Sequence, residues 1–239
     1  MSLIDASMTL GDLVTAHPEL APVLDHRHVD YCSMGKRTLE MVCSDRGLDP
    51  ASFLDELTGR AADAPLPAWA SMNVVDLCAH ILEVHHVPLW TELARLDESL
   101  QDLDSVHGRY VPWLGDAVCC FASLRSETER HLRYEEQILF PAIGELFTSG
   151  HLPHVHCRTL AGQFSATRRE HDHLFQLFDL LRRVVRNARG LAGEESRLAD
   201  AARAVARLDA DTHLHVHKEN NVLGPAVAVL EEDLRRRYR

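Results

Sequence analysis

From Asn73 onward the apolar positions recur at three- and four-residue steps along four long segments. The first carries Val74, Leu77, Cys78, Ile81 and Leu82 and continues to Leu96. The second carries Val118, Phe121, Leu124, Ile138 and Leu139, the third Leu160, Phe164, Leu174, Phe175, Phe178 and Leu181, and the fourth Leu198, Val205, Leu208 and Val222. Such steps gather apolar side chains on one face of a helix. No segment alternates with a convincing period of two. The pattern predicts an all-α chain whose residues 73–239 form an antiparallel four-helix bundle. Ahead of it, residues 1–58 read as a small helical domain. Thr9 or Asp12 caps a first helix, Thr38 opens another that Gly47 closes, and Asp49-Pro50 starts a short one running through Leu57. Residues 59–72, with Pro65, Pro67 and many alanines, read as a linker.

Polar residues interrupt the apolar faces in a repeated way. His131-Leu132-Arg133-Tyr134-Glu135 and His215-Val216-His217-Lys218-Glu219 each place a histidine four residues before a glutamate, so the two side chains leave one helix face together. Each pair runs into an apolar stretch ending in proline, Pro141 and Pro225. The first and third segments each set a further histidine in the apolar face, His86 and His171. These precede His131 and His215 by nearly the same interval, so the second half repeats the first. His85 competes with His86 for this place. His213 and His217 compete with His215, which alone sits one turn before Glu219. An isolated His–Glu pair at this spacing is usually a surface feature; a duplicated set is not. Four imidazoles and two carboxylates, with no thiolate, suit a non-haem di-iron pair, and manganese or zinc use the same atoms. Glu127 lies one turn before His131, and Glu170 directly precedes His171; both are candidates for support or proton relay beside the metals. His154, His156 and His173 have no counterpart in the repeat and read as solvated.

Composition narrows the classes. A formal charge of −11 argues against non-specific nucleic-acid binding, which relies on basic surface. No apolar stretch is long enough to span a bilayer, and the first residues lack the basic and apolar regions of a secretory signal. A cytoplasmic, reducing location is expected, with the six cysteines as thiols.

Asp30-Tyr31-Cys32-Ser33-Met34-Gly35-Lys36-Arg37-Thr38-Leu39, Glu135-Glu136-Gln137-Ile138-Leu139-Phe140-Pro141, Glu170-His171-Asp172 and Glu219-Asn220-Asn221-Val222-Leu223 together resemble the repair-of-iron-centres family. That family comprises di-iron proteins linked to repair of iron–sulfur clusters after nitrosative or oxidative stress. The resemblance covers nearly the whole chain. It implies a hemerythrin-like bundle with two non-haem irons and an oxo bridge, held by His86, His131, Glu135, His171, His215 and Glu219, with both glutamates bridging. It places Glu127 and Glu170 where the family has acidic residues lining the way to the metals. Two departures stand out. The family motif carries adjacent cysteines and two glycines, where this chain has Ser33 and Met34 after Cys32. Cys32 is left as a lone candidate reactive thiol, with burial as a small apolar side chain its alternative. Gly224 stands where the family usually has Phe, which loosens the last helix or widens access to the site.

Three functions follow as expectations. The first is supply of iron to damaged iron–sulfur clusters, with iron–sulfur proteins as partners and nitric oxide as a small ligand. The second is a binding or sensing module for O₂ or NO, its N-terminal unit serving for partner binding or homodimerisation; four clear histidines rather than five disfavour reversible O₂ carriage. The third is an oxidoreductase that consumes NO or peroxide.

Overall fold

The computed structural model describes residues 4–62, 65–150, 159–186 and 197–237. His154, His156 and Cys157 lie outside them. Among the described residues there are helices and no strand; one isolated antiparallel bridge joins Thr9 to Thr38. The fold is the expected all-α one. No helix among the described residues is long and apolar enough to cross a membrane.

The small N-terminal helices form where capping residues dictate. Helix α1 is Leu10–Ala16, and the Thr9 hydroxyl accepts the amide of Asp12. After α2, Ala21–His26, helix α3 spans Leu39–Arg46, capped by Thr38 and ended by Gly47 in the left-handed conformation. Asp49 caps α4, Pro50–Thr58, with Pro50 in the first turn, where its missing amide costs nothing. Four long helices follow: α5 over 74–107, α6 over 113–149, α7 over 160–186 and α8 over 197–237. Helix α6 packs on α5 and α7, and α8 closes the ring against both. The turn at 108–112 reverses the chain between α5 and α6, as an antiparallel bundle requires.

Three of the four bundle helices contain a π turn: Leu82–His86, Glu135–Leu139 and Lys218–Leu223. Each ends with an amide reaching five residues back, Val87 to Leu82, Phe140 to Glu135 and Gly224 to Glu219. In each case the next residue is a proline: Pro88, Pro141 or Pro225. Proline has no amide to donate and its ring collides with the carbonyl four residues back. Widening the preceding turn by one residue moves that carbonyl aside without ending the helix. Helix α7 has no proline and no π turn.

The bundle core is two apolar clusters rather than one. Leu89, Leu103, Phe121, Phe178 and Leu208 belong to the first, and Ile81, Leu139, Ile143, Phe164 and Val227 to the second. Between them, at the level of the π turns, lies a buried layer of histidines and glutamates. The N-terminal helices do not stand apart. Their own core, built on Leu10, Leu24, Tyr31 and Leu57, includes Val216 of α8 and touches Phe175 and Leu214. Within the stretch read as a linker, Trp69 is buried in the second bundle cluster.

Gly224 is explained by its neighbour. A Cβ there would lie 3.2 Å from the Phe164 ring and 3.1 Å from the Glu219 carbonyl. Phe164 itself is 5% exposed, so its ring fills the place a larger residue 224 would take. The helix end is therefore packed, not loosened. Gly224→Phe is expected to destabilise the protein by about 1–3 kcal/mol, as overpacking does. In a Phe164→Ala background the same change should cost much less, a non-additivity that urea unfolding of the two single variants and the double variant would show. Simple additivity would mean the two positions do not share the space.

Candidate metal centre

Each helix of the bundle contributes to the buried layer. Helix α5 supplies His86, α6 supplies His131 and Glu135, α7 supplies His171, and α8 supplies His215 and Glu219. All six are no more than 2% exposed. They form two overlapping clusters whose donor atoms lie within 4.8 Å of one another: His86, Glu135, His215 and Glu219, and His131, Glu135, His171 and Glu219. Both glutamates belong to both clusters. The Nε2 atoms of His86 and His215 are 3.1 Å apart, and those of His131 and His171 are 3.0 Å apart. Glu135 Oε2 lies 3.5 Å from His86 Nε2 and 3.3 Å from His131 Nε2. Glu219 lies 2.8 Å from His215 Nε2 through one oxygen and 3.3 Å from His171 Nε2 through the other.

This convergence fits metal ions and fits little else. Glu135 Oε2 and Glu219 Oε2 are buried without a hydrogen-bond partner. Isolated buried carboxylates are costly unless a cation or several donors meet them. A neutral imidazole has one N–H to give, and His86 and His131 spend theirs on carboxylates outside the layer. Burial pushes His131 down to about 4 and His86 down to about 2, so neither gains a second proton for the centre. Without cations the two carboxylates cannot both be charged. Burial, then repulsion from Glu219, drives the Glu135 carboxyl well above the usual range. Burial also opposes the charge on Glu219, but His215, bonded to its other oxygen, and the facing His171 ring outweigh it and keep that carboxyl low.

Carboxylates outside the layer orient the imidazoles. Glu136 Oε1 accepts from His86 Nδ1 at 3.1 Å and from Trp90 Nε1 at 2.9 Å. Glu170 Oε2 accepts from His131 Nδ1 at 3.0 Å. With Nδ1 as the donor, Nε2 presents its lone pair to the centre, the arrangement of a carboxylate–histidine–metal unit. Sequence spacing pointed to Glu170 through its neighbour His171, whereas its contact is to His131. Glu136 and Trp90 escaped sequence reasoning. The repeat could have revealed Glu136, because it follows Glu135 as Asn220 follows Glu219. Asn220 is 2% exposed with neither amide atom paired, and His171 Nδ1 is unpaired as well.

The other candidates are placed differently. Glu127 does not reach the centre; it pairs with Arg130, which also meets Glu170 at 3.4 Å. His85 is buried, but Asp211 holds its Nδ1 at 3.0 Å and Lys218 its Nε2 at 2.7 Å. His217 bonds Thr15 at 3.1 Å, and His213 stacks on Phe175, both turned towards the N-terminal helices or α7. His173 is exposed. Cys32 is 1% exposed, and its thiol donates to the His213 carbonyl at 2.9 Å. Burial, followed by the nearby Asp30, Asp25 and Asp209, pushes that thiol well above its ordinary range. As folded, Cys32 is a packed thiol and not a poised nucleophile. Ser33, in the place of the family's second cysteine, donates to Asp172 of α7 at 3.0 Å.

The neutral histidines set a sign for pH dependence. Unfolded, their imidazoles protonate near pH 6.5; folded, His131 and His86 do so only near 4 and 2. Between those values the unfolded chain binds more protons, so stability falls as pH falls. Glu135, whose carboxyl burial drives up, and Asp25, pushed up to about 7 by burial, act in the opposite sense, while His217, pushed down to about 3 by burial, adds to the two ligand rings. Urea midpoints of metal-free protein should drop as pH is lowered from about 7 to about 5. Constant midpoints would show that these rings are not held neutral by burial.

Comparisons with known proteins agree with this centre. Residues 6–61 match the ScdA_N family (Domain of Unknown function, DUF542), and residues 163–238 match the Hemerythrin HHE cation binding domain. The chain is 24% identical over 217 residues to the iron-sulfur cluster repair protein YtfE of Salmonella typhimurium, covering 90% of this chain and 94% of that protein. It is equally similar to the proteins of that name from Salmonella paratyphi B and Salmonella newport. The cation-binding family match takes in His171, His215 and Glu219, while His86, His131 and Glu135 meet them through the duplicated first half. The chain thus joins a segment that matches ScdA_N to one that matches the hemerythrin HHE cation binding domain, and is similar over nine-tenths of its length to proteins named for iron–sulfur cluster repair.

Proposed function

We propose that this protein is a non-haem di-iron protein that supplies iron to damaged iron–sulfur clusters, or helps rebuild them, under nitrosative or oxidative stress. One observation carries the reading: two buried carboxylates are each shared by two pairs of imidazoles, with no thiolate among the donors. Such a set would bridge two irons, with an oxo bridge completing the pair, and it suits iron and manganese better than structural zinc. Oxygen and nitrogen donors leave iron exchangeable and redox-active, as a cargo to be handed on must be. His86, His131, His171 and His215 would each take one metal through Nε2. Glu136 and Glu170 would keep the first two rings in the required tautomer. The relatives' name, iron-sulfur cluster repair protein, supports the same reading.

Reversible O₂ carriage has less support. The nearest further imidazole, His85, stacks on His215 at 5.4 Å and has both nitrogens engaged, so it offers no fifth ligand.

The test is metal analysis and Mössbauer spectroscopy of aerobically purified protein, before and after dithionite, followed by incubation with a nitrosylated or cluster-depleted iron–sulfur enzyme. The expected result is about two irons per chain, released on reduction, with restored enzyme activity. Iron that stays bound after reduction and never restores the acceptor would overturn the repair reading and favour sensing or turnover of NO or peroxide. The shared geometry makes a further prediction. Glu219→Ala should lose nearly all metal, because both clusters use it, whereas His171→Ala should retain roughly half. Equal losses in the two variants, measured by elemental analysis, would contradict the bridging role.

A further inference from the structure

The π turn Lys218–Leu223 faces two ways. Glu219 points into the metal layer. Two residues on, Asn221 points out beneath the N-terminal helices, where its Nδ2 donates to the Tyr31 carbonyl at 3.0 Å and the Cys32 carbonyl at 3.2 Å. The fit there is close. A Cβ on Gly35 would come within 2.0 Å of Asn221 Oδ1, and one on Gly11 within 3.4 Å of its side chain. Gly35 in turn accepts the Gly11 amide at 2.8 Å, so loop and α1 seat on the turn together. His217, one turn before, adds the bond to Thr15 and lies 3.1 Å from Asn221 Nδ2.

The duplication supplies an internal comparison. The matching π turn of α6, Glu135–Leu139, also carries a shared glutamate, but its counterpart of Asn221 is Gln137, which is exposed. One turn is clamped from outside and the other is free.

We infer that the N-terminal domain is a clamp on the π turn that holds Glu219, with Asn221 as its positioning residue, so that seating of the domain and retention of metal are coupled. The inference rests on the metal-centre reading above. Coupling of this kind is reciprocal: whatever the seated domain does for metal affinity, metal does for seating.

The experiment uses the full-length, iron-loaded protein and reads two things. The first is the rate of iron loss to a ferrous chelator after dithionite reduction. Asn221→Ala and Gly35→Ala should each release iron roughly 10-fold faster, within the usual range for coupled sites. Their double variant should be no faster than the quicker single one, since both break one contact. Gln137→Ala, the same truncation in the free turn, should match wild type. So should Leu181→Ala, which lowers stability from within the first apolar cluster. Thr15→Val serves as a milder variant if the glycine substitution fails to fold. The second readout is amide exchange at Leu10, Gly11 and Arg37, whose hydrogen bonds seat the N-terminal loop. Removing iron should speed exchange there more than in α3. If wild type binds iron but Asn221→Ala releases it no faster than Leu181→Ala, or exchange ignores iron, the clamp is wrong and the metal centre stands. If wild type binds no metal at all, both fall.

Discussion

Two carboxylates at the centre of an apolar bundle are the constraint from which the remainder follows. Glu135 and Glu219 are each 1% exposed, and each keeps one oxygen without a donor. Folding alone does not resolve this, because burial keeps His86 and His131 neutral and the two acids repel. Cations remove the conflict: they let both carboxylates ionise and take up the Nε2 lone pairs that His86 and His131 present to the centre. Metal binding and folding free energy are then partly the same quantity, and the four helices are tied at one level by something stronger than side-chain packing. The apolar clusters above and below the layer seal it from water, which strengthens every interaction inside it.

The π turns are the backbone's answer to the same constraint. Ligand-bearing turns lie between two apolar clusters that each demand their own register of buried positions. A single extra residue in the turn shifts the register between them without breaking the helix. The prolines that follow, Pro88, Pro141 and Pro225, make the regular α continuation unavailable. The widened turn is therefore written into the sequence and does not depend on metal to impose it. Helix α7 contributes one ligand, His171, and no glutamate, and it passes the layer as a regular α-helix.

Much of this was legible in the chain. Helical periodicity gave the four long segments, and cap chemistry at Thr38, Gly47 and Asp49 marked the small ones to within a residue or so. The repeated His–Glu spacing picked out six residues that the structure gathers in two overlapping clusters. What stayed hidden depends on partners distant in sequence. Glu136 reads as one more surface acid until Trp90 and His86 are seen to meet it. Glu127 reads as near the site because it shares a face with His131, but its half-buried carboxylate is taken by Arg130. Cys32 carries the chemistry of a nucleophile and the burial of a core residue, and only the fold decides between them. The linker reading of 59–72 missed Trp69 because one aromatic in a proline-rich stretch has no periodicity to betray its burial.

The two halves of the duplication have diverged in what surrounds the ligands, not in the ligands. The first half keeps a carboxylate, Glu136, against His86, where the second has Asn220; the first exposes Gln137 where the second buries the reach of Asn221 under the N-terminal loop. The first keeps Phe140 ahead of its proline, while the second has Gly224 and borrows the ring of Phe164 from α7 to fill the space. Only the Asn221 difference ties the second half to an element outside the bundle, the N-terminal loop; at Asn220 the second half leaves both amide atoms unpaired, and at Gly224 it fills the space from its own other helix. A symmetric donor set is thereby placed in an asymmetric frame: Asn221 holds the second π turn beneath the N-terminal loop, whereas Gln137 of the first is exposed. In the proposed role the site would have to keep iron and also part with it, and such a difference would serve both, because two equally rigid halves would release neither metal and two equally loose ones would retain neither.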